Sequence, residues 1–272
     1  MSTALQRAVE DDPTLKVERS AATNETVLSG LGDAHLEVAI ARLHSRFGVD
    51  IDTELPKIPY RETIRGTAEV EGKHKKQSGG RGQFGVANLR FEPLTADSAF
   101  EFVNAVKGGS IPRQYIPAVE KGVIEALDRG ILAGYPVVGV RATVYDGKYH
   151  PVDSDELSFR MAGILAVRAA APKLNATLLE PIMRATVRVP EDLMGDVIGD
   201  LNSKRGRVLG MDSEGGIRVL TVEVPLAEMQ RYSIDLRSIT SGRGSFEMEF
   251  ARYEEAPPNE AQRVIAAAQE ED

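Results

Sequence analysis

A basic stretch between Lys73 and Arg90, KHKKQSGGRGQFGVANLR, carries the residues best suited to bind a ligand. It contains five Lys and Arg residues and neither Asp nor Glu, in a chain whose 41 acidic residues outnumber its 33 basic residues and give a net charge of −8. Positive charge concentrated in one place on an acidic protein favours a negatively charged partner at that place alone. Lysine, arginine and exposed backbone N–H groups together suit the phosphates of a nucleic acid.

The centre of this stretch, residues 78–83, is too rich in glycine for regular structure. It resembles the phosphate-binding GxGxxG loop only superficially, because that motif lies between a strand and a helix and strand-like residues follow here. Alternating residues on both sides instead predict a long hairpin whose tip carries the glycines and the cations. An ordinary glycine-rich turn with one arginine is the alternative interpretation.

Residue types for catalysis are present without the partners that catalysis needs. The sequence has no GxxxxGK[ST] loop, GxSxG elbow, HExxH pair or kinase signature, and it has no cysteine. His74 and His150 can each pair with a carboxylate, but no nucleophile lies beside either one. His35 and His44 lack the spacing of a metal-binding pair, so we interpret them as surface or packing residues. We therefore predict no catalytic residue and no metal site.

The composition indicates a soluble globular protein. Hydrophobic residues make up 42% and charged residues 27% of the 272 residues, a length sufficient for two or three domains. No apolar stretch resembles a signal peptide or a membrane span. We therefore expect a cytoplasmic location and no membrane partner.

The elements around the basic stretch must position its tip. Apolar patterns predict three of them: a helix over 117–129, a strand over 137–145 and a helix that ends at about 171. A polar turn at 146–150 ends in His150. Asp153 is predicted to cap the last helix, with Glu156 as its reciprocal partner and Leu157 facing the core.

Five elements are predicted before the hairpin. They are, in order, a helix, two strands, a helix and a strand, over residues 2–12, 15–20, 25–29, 33–47 and 49–55. This order is that of a split βαβ unit without its first strand. We therefore expect the chain to begin inside a domain.

After a proline-marked boundary at 178–181, the complete β-α-β-β-α-β order of a ferredoxin-like domain is predicted. The predicted elements are residues 182–189, 191–205, 208–211, 217–224, 226–239 and 245–253. The expected domains are 1–58, 59–178 and 179–256, followed by a helical or frayed acidic tail over 257–272. The predicted fold class is α+β, with two ferredoxin-like domains, the first truncated, flanking the middle domain.

Long segments of the chain point to a family. They read QSGGRGQFG, IPRQYIPAVEKGV, YDGKYHPVDSDELSFRMA, PEDLMGDVIGDLNSKRGRVLGM and VPLAEMQRYSIDLRSITSGRGSFEMEF. Together they closely resemble the C-terminal half of bacterial elongation factor G, and LSGLGDAHLEVAIARL looks like the third domain of that family. The resemblance extends from about Ser2 to Tyr253, in the family's order.

The resemblance implies a fold and a set of partners. It implies domains III, IV and V of a five-domain translational GTPase, with domain IV an elongated ribosomal-protein-S5-like arm. That arm enters the decoding region of the small ribosomal subunit, where tRNA and mRNA lie, and domain V contacts the factor-binding region of the large subunit. GTP and Mg²⁺ belong to the N-terminal GTPase domain, which this chain lacks and which would be its partner in cis. The chain alone is therefore expected to be no enzyme and to hold no cofactor.

The resemblance also places the tip of the arm. The matching residues are Lys75, Lys76, Gln77, Ser78, Gly79, Gly80, Arg81, Gly82, Gln83 and His150. Small residues at such a tip can approach an RNA groove closely, and the cations can contact phosphates. The tip is thus expected to bind ribosomal RNA.

Some residues depart from the family's common form. Phe84 stands where translocases commonly have tyrosine, and Pro151 follows His150. The segment before the tip, residues 73–76, is more basic than is common in the family. These features resemble an elongation-factor-G-like paralogue, which could act in ribosome recycling or in another role on the ribosome. A stand-alone RNA-binding protein and an enzyme that uses His150 and Asp153 are further alternatives.

Overall fold

The computed structural model describes residues 2–20, 23, 25–77, 82–95, 97–98 and 100–271. The chain divides into two compact units. One comprises Met1–Pro59 and Pro181–Arg252, and the other comprises Tyr60–Glu180 and Tyr253–Asp272. The domain boundaries expected from the sequence stay predictions.

The N-terminal segment forms two helices and a two-stranded sheet. Its elements are α1 (Ser2–Asp11), β1 (Lys16–Arg19), β2 (Thr26–Ser29) and α2 (Asp33–Phe47). These four agree with the predicted elements, and α2 ends at Gly48, whose φ of 63° is easily adopted by glycine. The strand predicted over 49–55 is wrong. Val49 and Ile51 instead pack, without strand pairing, against the small core around Leu43, so their alternation reflects burial alone.

The middle of the chain forms a four-stranded sheet with two helices, preceded by a short strand, β3 (Arg61–Ile64), that lies outside this sheet. The other elements are β4 (Ala68–Lys76), β5 (Gln83–Pro93), β6 (Glu101–Asn104), α3 (Ile116–Asp128), β7 (Val140–Lys148) and α4 (Glu156–Ala170). The sheet order is β4-β5-β7-β6, with β6 parallel to β7 and the other pairs antiparallel. Helix α4 lies against β4 and β5, and α3 packs on α4 over the largest apolar core.

Three predictions about the middle domain need correction. Residues 146–148 are not a turn, because β7 continues until Lys148 lies opposite Val86 of β5. The cap of α4 is Asp155, whose carboxylate accepts the N–H of Ser158, and not Asp153. Leu157 is 48% exposed, so it does not face the core. The shift of the cap leaves Asp153 available for another contact.

The last part of the chain has the predicted ferredoxin-like order. Its elements are β8 (Ala176–Pro190), α5 (Met194–Ser203), β9 (Arg207–Glu214), β10 (Ile217–Pro225), α6 (Leu226–Met229), α7 (Tyr232–Thr240), β11 (Ser245–Glu255) and α8 (Pro258–Glu271). The sheet order β11-β8-β10-β9 is that of a β-α-β-β-α-β unit. The predicted α+β class is confirmed.

The proline-marked stretch at 178–181 lies inside β8, because β3 pairs with Ala176–Leu179 and extends the strand before Pro181. Its role as a domain boundary stays a prediction. One detail of this part differs from the sequence prediction. The single helix expected over 226–239 is two helices, α6 and α7. The acidic tail is helical, which is one of its two predicted forms.

A buried carboxylate organises one face of the last sheet. Glu223 of β10 is 5% exposed and forms ion pairs with Arg184, Arg207 and Arg252. Hydrogen bonds from Arg252 first, and then from Arg207, lower the pKa of Glu223 to about 2. The cluster therefore carries a fixed positive charge around one buried acid.

Candidate nucleic-acid interface

The basic hairpin predicted from the sequence is present as β4 and β5, which pair over the whole length of β4. Lys75 and Lys76 lie at the end of this ladder, and their side chains and that of Gln77 are exposed. Within the described ranges, neither lysine forms an ion pair with the chain itself. Both ammonium groups can therefore contact an external anion.

The predicted tip includes four residues that the structure does not describe. Ser78, Gly79, Gly80 and Arg81 lie outside the described residues, so their assignment to the tip stays a prediction. Gly82 and Gln83, which follow them, are described.

Helix α4 fixes the hairpin through two glycines that approach it closely. A Cβ atom on Gly72 would lie 2.0 Å from the carbonyl oxygen of Ala162, and one on Gly85 would lie 2.9 Å from that of Ser158. Real Cβ atoms do not come so near to backbone oxygens, so neither position accepts a side chain without movement of the backbone. The close contact holds the distal part of the hairpin against the start of the helix.

The turn after β7 is hydrogen-bonded to the hairpin at the start of β5. Asp153 accepts the N–H of Gly82 through its carboxylate at 2.9 Å and the N–H of Phe84 through its carbonyl at 2.8 Å. The hydroxyl of Ser154 donates to the carbonyl of Phe84 at 2.7 Å and accepts the N–H of His150 at 2.8 Å. The two predicted tip segments, around Gly82 and around His150, are thus brought together.

These contacts also define the orientation of the His150 ring. Its Nδ1 accepts the backbone N–H of Asp153 at 3.2 Å and that of Val152 at 3.4 Å, and it lies 3.3 Å from the Asp153 carboxylate. We assign the proton of the neutral ring to Nε2, because two backbone N–H groups are directed at Nδ1. The side chain is 52% exposed. His150 therefore offers one N–H donor to a partner.

The other side of the hairpin is occupied by internal contacts. His74 lies opposite Gly85 and is the diagonal neighbour of Gln83, and Nε2 of His74 is 2.9 Å from Oε1 of Gln83. This bond uses the side-chain oxygen of Gln83, one of the predicted tip residues. The ring of His74 thus forms a hydrogen bond within the hairpin.

Sequence reasoning missed the residues that support this turn. Ser154 is 5% exposed, and its carbonyl accepts the hydroxyl of Tyr115 at 3.2 Å. The Tyr115 ring stacks on Phe159 of α4 with centroids 5.0 Å apart. The nearby Asp153 and Asp155 both fit a helix-cap pattern, so the sequence could not show that Ser154 and Asp153 bind the hairpin instead.

Neither a metal cluster nor a membrane span is found in the part of the chain that the structure describes. No three His, Asp or Glu side chains gather there as a metal ion would require. Of the helices described, none combines the length and the apolar character needed to cross a membrane.

Asp12, beside His35, has its pKa lowered to about 2, chiefly by the hydroxyl of Thr14 and then by His35. This packing contact agrees with the predicted role of His35.

Three family models match consecutive stretches of the chain. Elongation Factor G, domain III, matches residues 1–55; Elongation factor G, domain IV, matches residues 56–175; and Elongation factor G C-terminus matches residues 177–264. Together they extend over almost the whole sequence.

A solved structure supports the same assignment. The chain is 44% identical to a protein of Thermus thermophilus whose crystal structure superposes with a TM-score of 0.89. The match covers 100% of this chain and 40% of that chain, so this chain spans less than half of the length of its neighbour. The protein therefore belongs to the elongation factor G family, of which it carries domain III, domain IV and the C-terminal domain.

Proposed function

We propose that this chain is the ribosome-contacting part of a translational GTPase, and that its domain IV promotes the movement of tRNA and mRNA. In this proposal the tip, defined as residues 75–83 with His150, enters the decoding region of the small subunit. One observation carries the proposal. The contacts of Asp153 and Ser154 hold His150 beside the end of the basic hairpin, so that cations and a hydrogen-bond donor are presented together.

The chemistry of the tip favours binding to RNA. Lys75 and Lys76 supply positive charge for phosphates, and Nε2 of His150 supplies a donor for a base edge, a phosphate or a 2′-hydroxyl. His150 acts here by position and hydrogen bonding, because the movement of tRNA breaks no bond at this place. Domain IV would thus stabilise tRNA and mRNA in the positions that they occupy after translocation.

The remaining parts of the proposal rest on the family. The C-terminal domain would contact the factor-binding region of the large subunit, and GTP and Mg²⁺ would bind to a GTPase domain in cis. The site of action would be the cytoplasm. The chain alone would not be an enzyme, and titration with GTP and Mg²⁺ in a calorimeter should give no binding heat; tight binding would contradict this.

A paralogue with another role on the ribosome is the second candidate. The observation that favours it is Phe84, where translocases commonly have tyrosine; its ring packs edge-on against His150 with centroids 6.5 Å apart. Phenylalanine has no hydroxyl with which to bind RNA at this point. Such a paralogue could help to recycle ribosomes.

Binding of the chain to purified small ribosomal subunits tests the proposal. We expect measurable binding that weakens as salt rises. Arg81→Ala should reduce the slope of log K against log salt by about one unit if one phosphate contact is lost. The matched control is Arg263→Ala, on the exposed side of α8. A chain that does not bind small subunits would overturn the proposed function.

A further inference from the structure

The sheet of domain IV has an outer face that lies opposite α4. Along β4, Ala68, Val70 and Gly72 are buried on the side of α4, whereas the residues between them point to the other side and are exposed. Residues directly opposite each other on paired strands share a face. The outer face can therefore be followed row by row through β4, β5 and β7.

Acidic residues accompany the two rows farthest from the tip. In the first row, Glu69 forms an ion pair with Arg90, and this hydrogen bond raises the pKa of Arg90. In the second row, Asn88 lies between Glu71 and Asp146. The backbone N–H of Gly147 is the main reason that the pKa of Asp146 is lowered, so this carboxylate is ionised at neutral pH. These rows are neutral or negative.

The two rows nearest the tip carry only positive charge. Val86 lies between Lys73 and Lys148, and Lys75 lies opposite Phe84. All three lysines are exposed, and Val86 is only 2% exposed although it lies on the outer face. Burial of a valine between two lysines is expected when their aliphatic stems cover it and their ammonium groups extend into solvent.

The outer face therefore changes sign between its second and third rows. The Cα atoms of Lys73 and Lys75 are about 7 Å apart along β4, and those of Lys73 and Lys148 are about 10 Å apart across the sheet. Three cations at these distances can each contact a separate phosphate. The opposite face of the hairpin cannot take this role, because α4 lies against Gly72 and Gly85 and His74 is bonded to Gln83.

We propose that Lys73, Lys75 and Lys148 form an RNA-binding face that continues the contact of the tip along one side of domain IV. The ligand is the sugar–phosphate backbone of ribosomal RNA, and the contact ends where Glu71 and Asp146 repel phosphate. The inference rests on the proposed function, because it assumes that the tip meets the small subunit. It adds Lys73 and Lys148, and it assigns the contact to one face of the sheet.

Salt-dependent binding of the full chain to purified small ribosomal subunits tests this inference. The double variant Lys73→Gln/Lys148→Gln should lower the slope of log K against log salt by about two units, since two phosphate contacts are lost. The matched control is Lys121→Gln/Lys173→Gln, which removes two exposed lysines of the same domain, on α3 and after the end of α4, and should leave the slope unchanged. Glu71→Gln should strengthen binding, because it removes a repelling charge.

The outcomes separate this inference from the proposed function. If the unaltered chain binds, Arg81→Ala lowers the slope and Lys73→Gln/Lys148→Gln leaves it unchanged, the outer face is not a binding surface and the inference is overturned alone. Equal losses for both lysine pairs would also overturn it, because the effect would then follow net charge and not position. Failure of the unaltered chain to bind would overturn both.

Discussion

Replacement of Glu62 by glutamine is expected to destabilise domain IV by about 3 to 6 kcal/mol, since several buried hydrogen bonds are lost. The Glu62 carboxylate is 0% exposed and accepts four backbone N–H groups. One oxygen binds Ile131 and Leu132 at 2.6 and 2.9 Å, and the other binds Ala133 and Tyr135 at 2.7 and 3.0 Å. An amide would turn an NH₂ group towards two of these donors and leave them without an acceptor.

Amide hydrogen exchange measures this effect locally, which suits a protein of several domains. Exchange at residues 131–135 should accelerate in Glu62→Gln, and the urea midpoint of domain IV should fall. Glu69→Gln is the matched control, because it removes an exposed partner of Arg90 and should cost no more than about 1 kcal/mol. Unchanged exchange at residues 131–135 in Glu62→Gln would show that the four hydrogen bonds contribute nothing to the loop.

Replacement of His150 by alanine should slow the movement of tRNA and mRNA by about 10- to 100-fold in the full-length factor, if one charge-assisted hydrogen bond of about 1.5 to 3 kcal/mol is lost. Ribosome binding and GTP hydrolysis should be preserved, because the lysines and the GTPase domain are unaffected. The reason is the half-exposed ring, whose Nδ1 is bonded to the turn, so that Nε2–H is the donor left for a partner.

A rapid translocation assay measures the expected loss. His44→Ala is a suitable control, because His44 is another exposed histidine, on α2, whose ring nitrogen Nδ1 hydrogen-bonds to the carboxylate of Asp50. Gly80→Val should also slow movement, by steric hindrance at the tip. Normal rates for both His150→Ala and Gly80→Val would contradict the mechanism and favour a paralogue that does not move tRNA.

Local patterns predicted the parts of the site that depend on neighbouring residues. Alternation before and after the glycines was sufficient for the hairpin, and its register follows from a short tip. Helix α2 was predicted within its observed bounds from apolar spacing and a closing glycine. In these elements, the residues that determine the structure are close in sequence.

Predictions failed where a distant partner decides the role of a residue. Asp153 has the composition of a helix cap, but its carboxylate binds Gly82, 71 positions earlier in the chain. Asp155 is left as the cap. Val49 and Ile51 alternate as in a strand, although they only fill a small core. Hydrophobic alternation reports burial, and a strand also needs a neighbour with free backbone groups.

The role of the buried Glu62 was not predicted for the same reason, since its partners are distant in sequence. It lies in a short strand, β3, that sequence reasoning did not predict, and the loop it binds is about 70 residues later. A glutamate in a polar stretch is normally expected at the surface. Only the fold shows that the carboxylate of Glu62 takes the place of water as the acceptor of four backbone N–H groups.

The central claim, that the tip of domain IV reaches the decoding region, is tested most directly by cleavage from a probe fixed at the tip. The chain has no cysteine, so Gln77→Cys provides a single attachment point for an iron chelate within the tip, and Asn259→Cys provides one on α8 as a control. On ribosomes bearing the full-length factor, with any cysteines outside this chain replaced, radicals from position 77 should cleave small-subunit RNA in the decoding region, and radicals from position 259 should not. Absence of decoding-region cleavage from position 77, with the factor bound, would contradict the account.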